Sequence, residues 1–175
     1  RKGVNGQLRR VEPDTMLAIV GGASYEPQYP DFLRREIARH GLEDAVSLVG
    51  DAPQATVVDW LHAADAFSLL SSREGCCNAV LEALAVGLPC VVTPAGDNPE
   101  FVQPGTDGAL VPVDDAAATA RALGEVLARR DWNPADLSAR VRARVGTWRA
   151  VAERVLAFFE ARLAATASAA QRRSA

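Results

Sequence analysis

Histidine occurs twice and cysteine three times in 175 residues, and neither is spaced to hold a metal. His40 and His62 stand alone on helical stretches, where a surface or packing role is the expected one, and Cys76-Cys77 lacks zinc-ligand spacing. Three bunched cysteines (Cys76, Cys77, Cys90) are also too few for a disulfide framework, which points to a cytosolic compartment. An excess of positive charge is missing: 19 basic against 22 acidic residues leave a net charge of −3. Nothing therefore advertises a nucleic-acid partner. The longest apolar runs, such as Val86–Pro94, fall far short of the ~20 residues that span a bilayer. No apolar stretch follows Arg1-Lys2-Gly3, so no signal peptide is expected there. Lysine is nearly absent: Lys2 stands among eighteen Arg, the habit of a GC-rich genome. The chain lacks an initiator Met and starts in mid-phrase, as an excised fragment would.

What remains is ample for a fold. Hydrophobic residues make up 49% and charged residues 23%, a soluble globule's composition. One domain of this length buries roughly 70% of its unfolded surface.

Short β-branched runs alternate with amphipathic segments. Leu17–Val20 is an apolar run closed by Gly21-Gly22, as expected of a buried strand. Phe32, Leu33, Ile37 and His40 fall at helical spacing, with Gly41 as the C′ residue and Leu42 packing behind it. Further strands are expected at Val46–Val49, Ala66–Leu70, Cys90–Thr93 and Ala109–Val113. Helices are expected from Thr56 to His62, capped by Thr56 with Asp59 as capping-box partner, and from Asn78 to Val86, stopped by Gly87 and Pro89. Another runs from Asp115 to Arg129. Strand–helix alternation with short connections implies an α/β fold, a Rossmann-like three-layer sandwich with a parallel sheet. Ligands of such sheets bind beyond the carboxyl ends of the strands. The last third reads as helices only, Asp136–Arg144 and Thr147–Leu163, the second with an apolar stripe of Trp148, Val151, Val155, Phe159 and Leu163. That stripe has two readings, packing on this domain's own sheet or docking on another domain. The expected division is residues 1–146, the helix 147–163, and a frayed tail 164–175 without apolar periodicity.

The loop Ser71–Cys77 and the helix after it carry the most chemistry. The first turn of a helix offers unpaired backbone N–H groups and the positive end of a macrodipole, which suits a phosphate. Asn78 and Glu82 are four residues apart and share a face. Glu82 sits among Val80, Leu81, Ala83 and Leu84, so its carboxylate is expected to need a hydrogen-bond partner. Ribose hydroxyls would serve, and so would a structural Arg or Lys. Glu74, in the loop, is either a ligand contact or simply solvated.

Glu74-Gly75, Asn78 and Leu81–Thr93, with seven residues between the two Glu, resemble the retaining glycosyltransferases of the GT-B fold. The similarity is to the large family-four set, glycosyl transferases group 1. It extends through Leu17–Gly22, Val49-Gly50, Ala63–Ala66, Pro99–Val102, Gly105–Gly108 and Leu110-Val111, over most of residues 14 to 130, and a similar last helix carries Trp148. The resemblance implies the C-terminal, donor-binding half of a GT-B fold. Glu82 would hold the nucleotide ribose, Glu74 the donor sugar's hydroxyls, and the N–H groups of Gly75, Cys76, Cys77 and Asn78 the sugar and diphosphate. Lys2-Gly3 matches the family's phosphate-binding pair, and Val49, Gly50 and Asp51 would lie beside the base. Cys77 stands where the family often has Pro, and Asp97 where it often has a second Gly. Either departure would shift sugar preference without removing a group that the nucleotide needs.

The implied activity is transfer of a sugar from a UDP- or GDP-type donor to a glycan, lipid or small-molecule acceptor, with retained anomeric configuration. The nucleotide sugar is a substrate, and no metal or cofactor is implied. An N-terminal acceptor-binding domain outside this chain would complete a bacterial enzyme of glycan biosynthesis, leaving this fragment inactive alone. The resemblance also admits peripheral association of the full enzyme with the inner membrane. A sugar-nucleotide epimerase shares the architecture, and product analysis with and without acceptor separates the two. A flavodoxin-like interaction domain needs an acidic pocket at the early strand ends, where this chain has Gly21-Gly22. A dinucleotide-binding dehydrogenase would need a third glycine after that pair, and no serine-hydrolase elbow is present.

Overall fold

The computed structural model describes residues 14–22 and 26–173. The chain forms two units, Arg1–Val141 and Arg142–Ala175. Lys2 lies outside the described residues.

In the first unit, five strands alternate with helices: β1 (Leu17–Val20), α1 (Tyr29–Arg39), β2 (Val46–Gly50), α2 (Gln54–Ala63), β3 (Phe67–Leu69), α3 (Asn78–Ala85), β4 (Cys90–Val92), α4 (Asn98–Phe101), β5 (Gly108–Leu110) and α5 (Ala116–Ala128). Helix α6 (Pro134–Val145) follows. Every strand pair is parallel, as the alternation predicts. Among the described residues the hydrogen bonds form two ladders, β1–β2 and β3–β4–β5. Central β4 is buried at every position, which explains its unbroken apolar run. The first ladder slips at its carboxyl end, where Val20 pairs with Gly50 after Ile19 has paired with Leu48. Val49 is the extra residue of this bulge.

Each ladder has its own apolar cluster. Ile37, Leu42, Ala45 and Val46 gather Leu17, Ile19 and Leu48 around the first. Val91, Val111, Ala122 and Val126, with Leu70, Leu123 and Trp132, build the second. Helix α3 adds Val80, Ala83 and Leu84, all wholly buried on one stripe. Burial of a side chain such as Leu84 stabilises by about 1.5–3 kcal/mol.

Helix ends follow local chemistry. After α1, the Leu42 N–H donates to Ile37 C=O at 3.0 Å and Gly41 takes φ +60°, the expected glycine stop with Leu42 buried behind it. Asp115 caps α5 by accepting the Ala118 N–H at 2.8 Å. Helix α2 differs from expectation. It starts at Gln54 with Pro53 at the N-cap, so Thr56 is already inside the helix and the Thr56–Asp59 capping box is not made. Pro53 at φ −58° and ψ 151° is extended and starts the helix by its fixed φ. Helix α6 also starts early, because the Asn133 side chain caps Ala135 and Asp136 at 3.1 and 3.3 Å, with Pro134 in the first turn.

The second unit is dominated by α7 (Trp148–Arg173), which passes the end expected at Leu163. Alanines 164, 165, 167, 169 and 170 supply helix propensity there without apolar periodicity. No described helix is long and apolar enough to cross a membrane.

Candidate functional site at the carboxyl ends of the strands

Parallel pairing turns the carboxyl ends of β3 and β4 to one rim, and the two loops leaving them are tied together. Thr93 Oγ1 donates to Ser71 C=O at 2.5 Å, and Asn98 Nδ2 donates to Thr93 C=O at 3.0 Å. The Asp97 N–H donates to Gly75 C=O at 3.2 Å. Between them Gly96 takes φ +54°, and a Cβ there would stand 2.8 Å from Glu74 O and overlap Gly75 O. Only glycine lets the Gly96-Asp97 backbone seat the Glu74-Gly75 backbone this closely.

Above that seat α3 begins. Its N-cap, Cys77, makes no side-chain capping bond. Among the described residues, the N–H groups of Gly75, Cys76 and Cys77 donate to no backbone carbonyl. Glu74, Cys76 and Asn78 are exposed around these donors. The Cys77 thiol is buried, near the Glu74 carboxylate and the Asn98 amide. Burial first, then the Glu74 hydrogen bond and charge, push this thiol up to about 11, with Asn98 acting in the opposite sense. Cys90 is pushed up as well, by burial and by the charge of Asp107.

Glu82 lies one turn beyond Asn78 and is half-buried. Among the described residues no hydrogen bond or ion pair reaches its carboxylate. The apolar residues beside it in sequence do not enclose it: Val80, Ala83 and Leu84 turn to the core while Glu82 stays open to water. The expected desolvation of this carboxylate is thus smaller than its sequence neighbours suggest.

A second set lies where the first ladder ends. The Gly21 N–H donates to Gly50 C=O at 2.9 Å, beyond half-buried Val49. The Asp51 carboxylate lies over Gly22, with Oδ2 2.8 Å from where a Cβ would stand. The structure thus brings Glu74, Gly75, Cys76, Cys77, Asn78 and Glu82 together, and Val49, Gly50 and Asp51 together. No hydrogen bond or ion pair among the described residues joins the two sets.

Sequence reasoning missed Asn98, and met Gly96 only as the first residue of the family's glycine pair, not as the seat of the Glu74 loop. Asn98 is wholly buried, and its Oδ1 has no hydrogen-bond partner among the described residues. A cavity of about 180 Å³, lined in part by Arg129, Trp132 and Arg140, lies at the opposite, amino-terminal end of β5. There the Arg129 guanidinium stacks 4.0 Å over Trp132 and pairs with Asp131 at 2.6 Å, while Arg140 reaches buried Asp107 at 3.4 Å. These contacts brace the turn before β5.

All-parallel strands alternating with helices make this unit a Rossmann-like α/β domain, and its likeness to known proteins is to GT-B glycosyltransferases. The chain superposes on Anabaena HepE, solved in complex with UDP, with a TM-score of 0.77 at 22% identity, covering 89% of this chain and 44% of that one. Sucrose-phosphate synthase from Thermosynechococcus elongatus gives 0.77 at 26% identity, over 94% of this chain and 43% of that one. The chain belongs to the glycosyl transferases group 1 family, whose profile matches residues 4–129. It is 37% identical over 125 residues to the amylovoran biosynthesis glycosyltransferase AmsK of Erwinia amylovora. That match covers 68% of this chain and 29% of the relative, so the chain spans under a third of that relative's length.

Proposed function

We propose that this domain binds the nucleotide-diphosphate-sugar donor of a retaining glycosyltransferase. One observation carries the reading: just before α3 the N–H groups of Gly75, Cys76 and Cys77 have no backbone acceptor among the described residues, between exposed Glu74 and half-buried Glu82. A diphosphate on those donors meets the positive end of the helix, an attraction of about 0.3–1 kcal/mol at the surface and up to ~2 when partly buried. Glu82, without a hydrogen-bond or ion-pair partner among the described residues, accepts from the ribose hydroxyls, and Glu74 accepts from hydroxyls of the sugar. Val49, Gly50 and Asp51 flank the base, and Lys2 adds positive charge to the diphosphate. The complex of HepE with UDP supports a nucleotide at this kind of domain.

In transfer, the bond from the sugar's anomeric carbon to the diphosphate oxygen breaks as the bond to an acceptor oxygen forms. Negative charge grows on the leaving diphosphate, where the N–H donors before α3 would stabilise it and the Lys2 charge would add to them. No metal ion is needed in this reading. The acceptor comes from a second domain, so this chain alone binds donor without turnover.

Titration calorimetry with UDP, GDP and ADP tests the proposal. At least one nucleotide is expected to bind, with Glu82→Ala raising Kd about tenfold, equal to ~1.4 kcal/mol, and EDTA leaving it unchanged. Absence of binding for all three at millimolar concentration overturns the reading.

A further inference from the structure

Where the first ladder ends, Asp51 holds a carboxylate that the fold itself does not use. Its side chain is exposed, and among the described residues no hydrogen bond or ion pair reaches it. It leans over Gly22: a Cβ at that position would stand 2.5 Å from Oδ1 and 2.8 Å from Oδ2. Gly22 takes no left-handed φ, so its missing side chain serves this close approach and not a turn. The backbone beneath is tied down, because the Gly21 N–H donates to Gly50 C=O at 2.9 Å just after the Val49 bulge. Two acceptor oxygens thus stand unpaired on the rim where parallel strands end, the side of such sheets at which ligands bind.

A carboxylate is repelled by a diphosphate and needs N–H or O–H donors. The N–H groups that suit phosphates belong to the other set, before α3, which leaves Asp51 to the base. The bases differ in what they offer it. Guanine presents its N1–H and its 2-amino group side by side, a donor pair that both carboxylate oxygens accept at once. Uracil sets its N3–H between two carbonyl oxygens, and adenine sets its amino group beside an acceptor nitrogen, so each turns lone pairs toward the carboxylate. A desolvated acceptor facing another acceptor has lost water without gaining a partner, and that difference separates a matched ligand from an unmatched one. The UDP bound to HepE does not decide the base here, since that likeness, at 22% identity, is one of fold.

We propose that the Asp51 carboxylate selects guanine, so that the donor is a guanosine-diphosphate sugar; this rests on the nucleotide-sugar reading of the domain. Titration calorimetry on the 175-residue chain compares GDP, inosine diphosphate, UDP and ADP. GDP is expected to bind at least about tenfold more tightly than UDP or ADP. Inosine diphosphate differs from GDP in lacking the 2-amino group, and is expected to bind about fivefold more weakly. Asp51→Ala brings GDP and inosine diphosphate within about twofold of each other. Gly22→Ala changes no charge but crowds the carboxylate aside, and it narrows the same gap. Both variants keep the wild-type thermal melt, the folding control for an exposed site. UDP or ADP bound as tightly as GDP overturns the proposal while leaving a nucleotide site in place. So does a gap between GDP and inosine diphosphate that survives Asp51→Ala. If none of the four binds at millimolar concentration, the nucleotide-sugar reading falls and guanine selection falls with it.

Discussion

At Cys77 burial and the nearby Glu74 charge keep a thiol protonated, one residue from an exposed thiol at Cys76. Because the thiolate is the nucleophile, a group pushed to about 11 is only about a thousandth ionised at pH 8. Iodoacetamide at pH 8 is therefore expected to label Cys76 at least about tenfold faster than Cys77 or Cys90, read by peptide mass spectrometry. The same shift links to stability. The folded state holds a proton that the unfolded chain releases near 9, so this contribution is complete below pH 9 and lost as pH rises through about 11. Thermal melts across that range should decline more steeply for the wild type than for Cys77→Ala. Gly96 makes a different demand. Gly96→Ala forces a left-handed backbone on a β-carbon and drives that carbon against Gly75 and Glu74, which is expected to cost about 1–3 kcal/mol. It should also weaken nucleotide binding through the displaced Glu74 loop. Denaturant melts and calorimetry separate the two effects. Glu74 and Glu82 are legible from spacing because both lie on one continuous motif. Gly96 and Asn98 are not, since their importance arises only where two loops from different strands meet.

Helix α3 shows how one element serves stability and binding with different faces. Leu84, Val80 and Ala83 face the core without exposed surface, while Asn78 and Glu82 face outward. Leu84→Ala should cost about 2–5 kcal/mol in urea unfolding, yet leave the nucleotide affinity of the folded fraction within about twofold. An effect on affinity as large as that of Glu82→Ala would show that the two faces are not separable. At this scale the sequence is most readable where two local signals agree. Gly41 and Leu42 end α1 as their pattern predicts, because a left-handed glycine and a buried apolar residue reinforce each other. The start of α2 misleads, since Thr56 and Asp59 have capping-box spacing but Pro53 has already set the helical path. Four-residue α4 is too short to show periodicity, and α7 outruns its apolar stripe on alanine propensity.

Over the whole molecule, burial is divided unequally. Both apolar clusters, and every buried side chain among the described residues, belong to the unit ending at Val141, with Leu137 and Val141 of α6 as its last members. No described side chain of α7 is buried. The first unit thus has its own buried core, to which Leu137 and Val141 of α6 belong. Truncation after Gly146 is expected to remove helical ellipticity in proportion to α7 and to leave a single cooperative transition. Because a loss of 1 kcal/mol moves Tm by roughly 2–8 °C in domains of this size range, a shift within about 3 °C would mean that α7 adds almost nothing to the core. The truncated chain should bind nucleotide with the affinity of the full chain, checked by the same calorimetry. A large drop in Tm, or loss of cooperativity, would show instead that the apolar stripe of α7 is structural, because burial alone can supply that much stability.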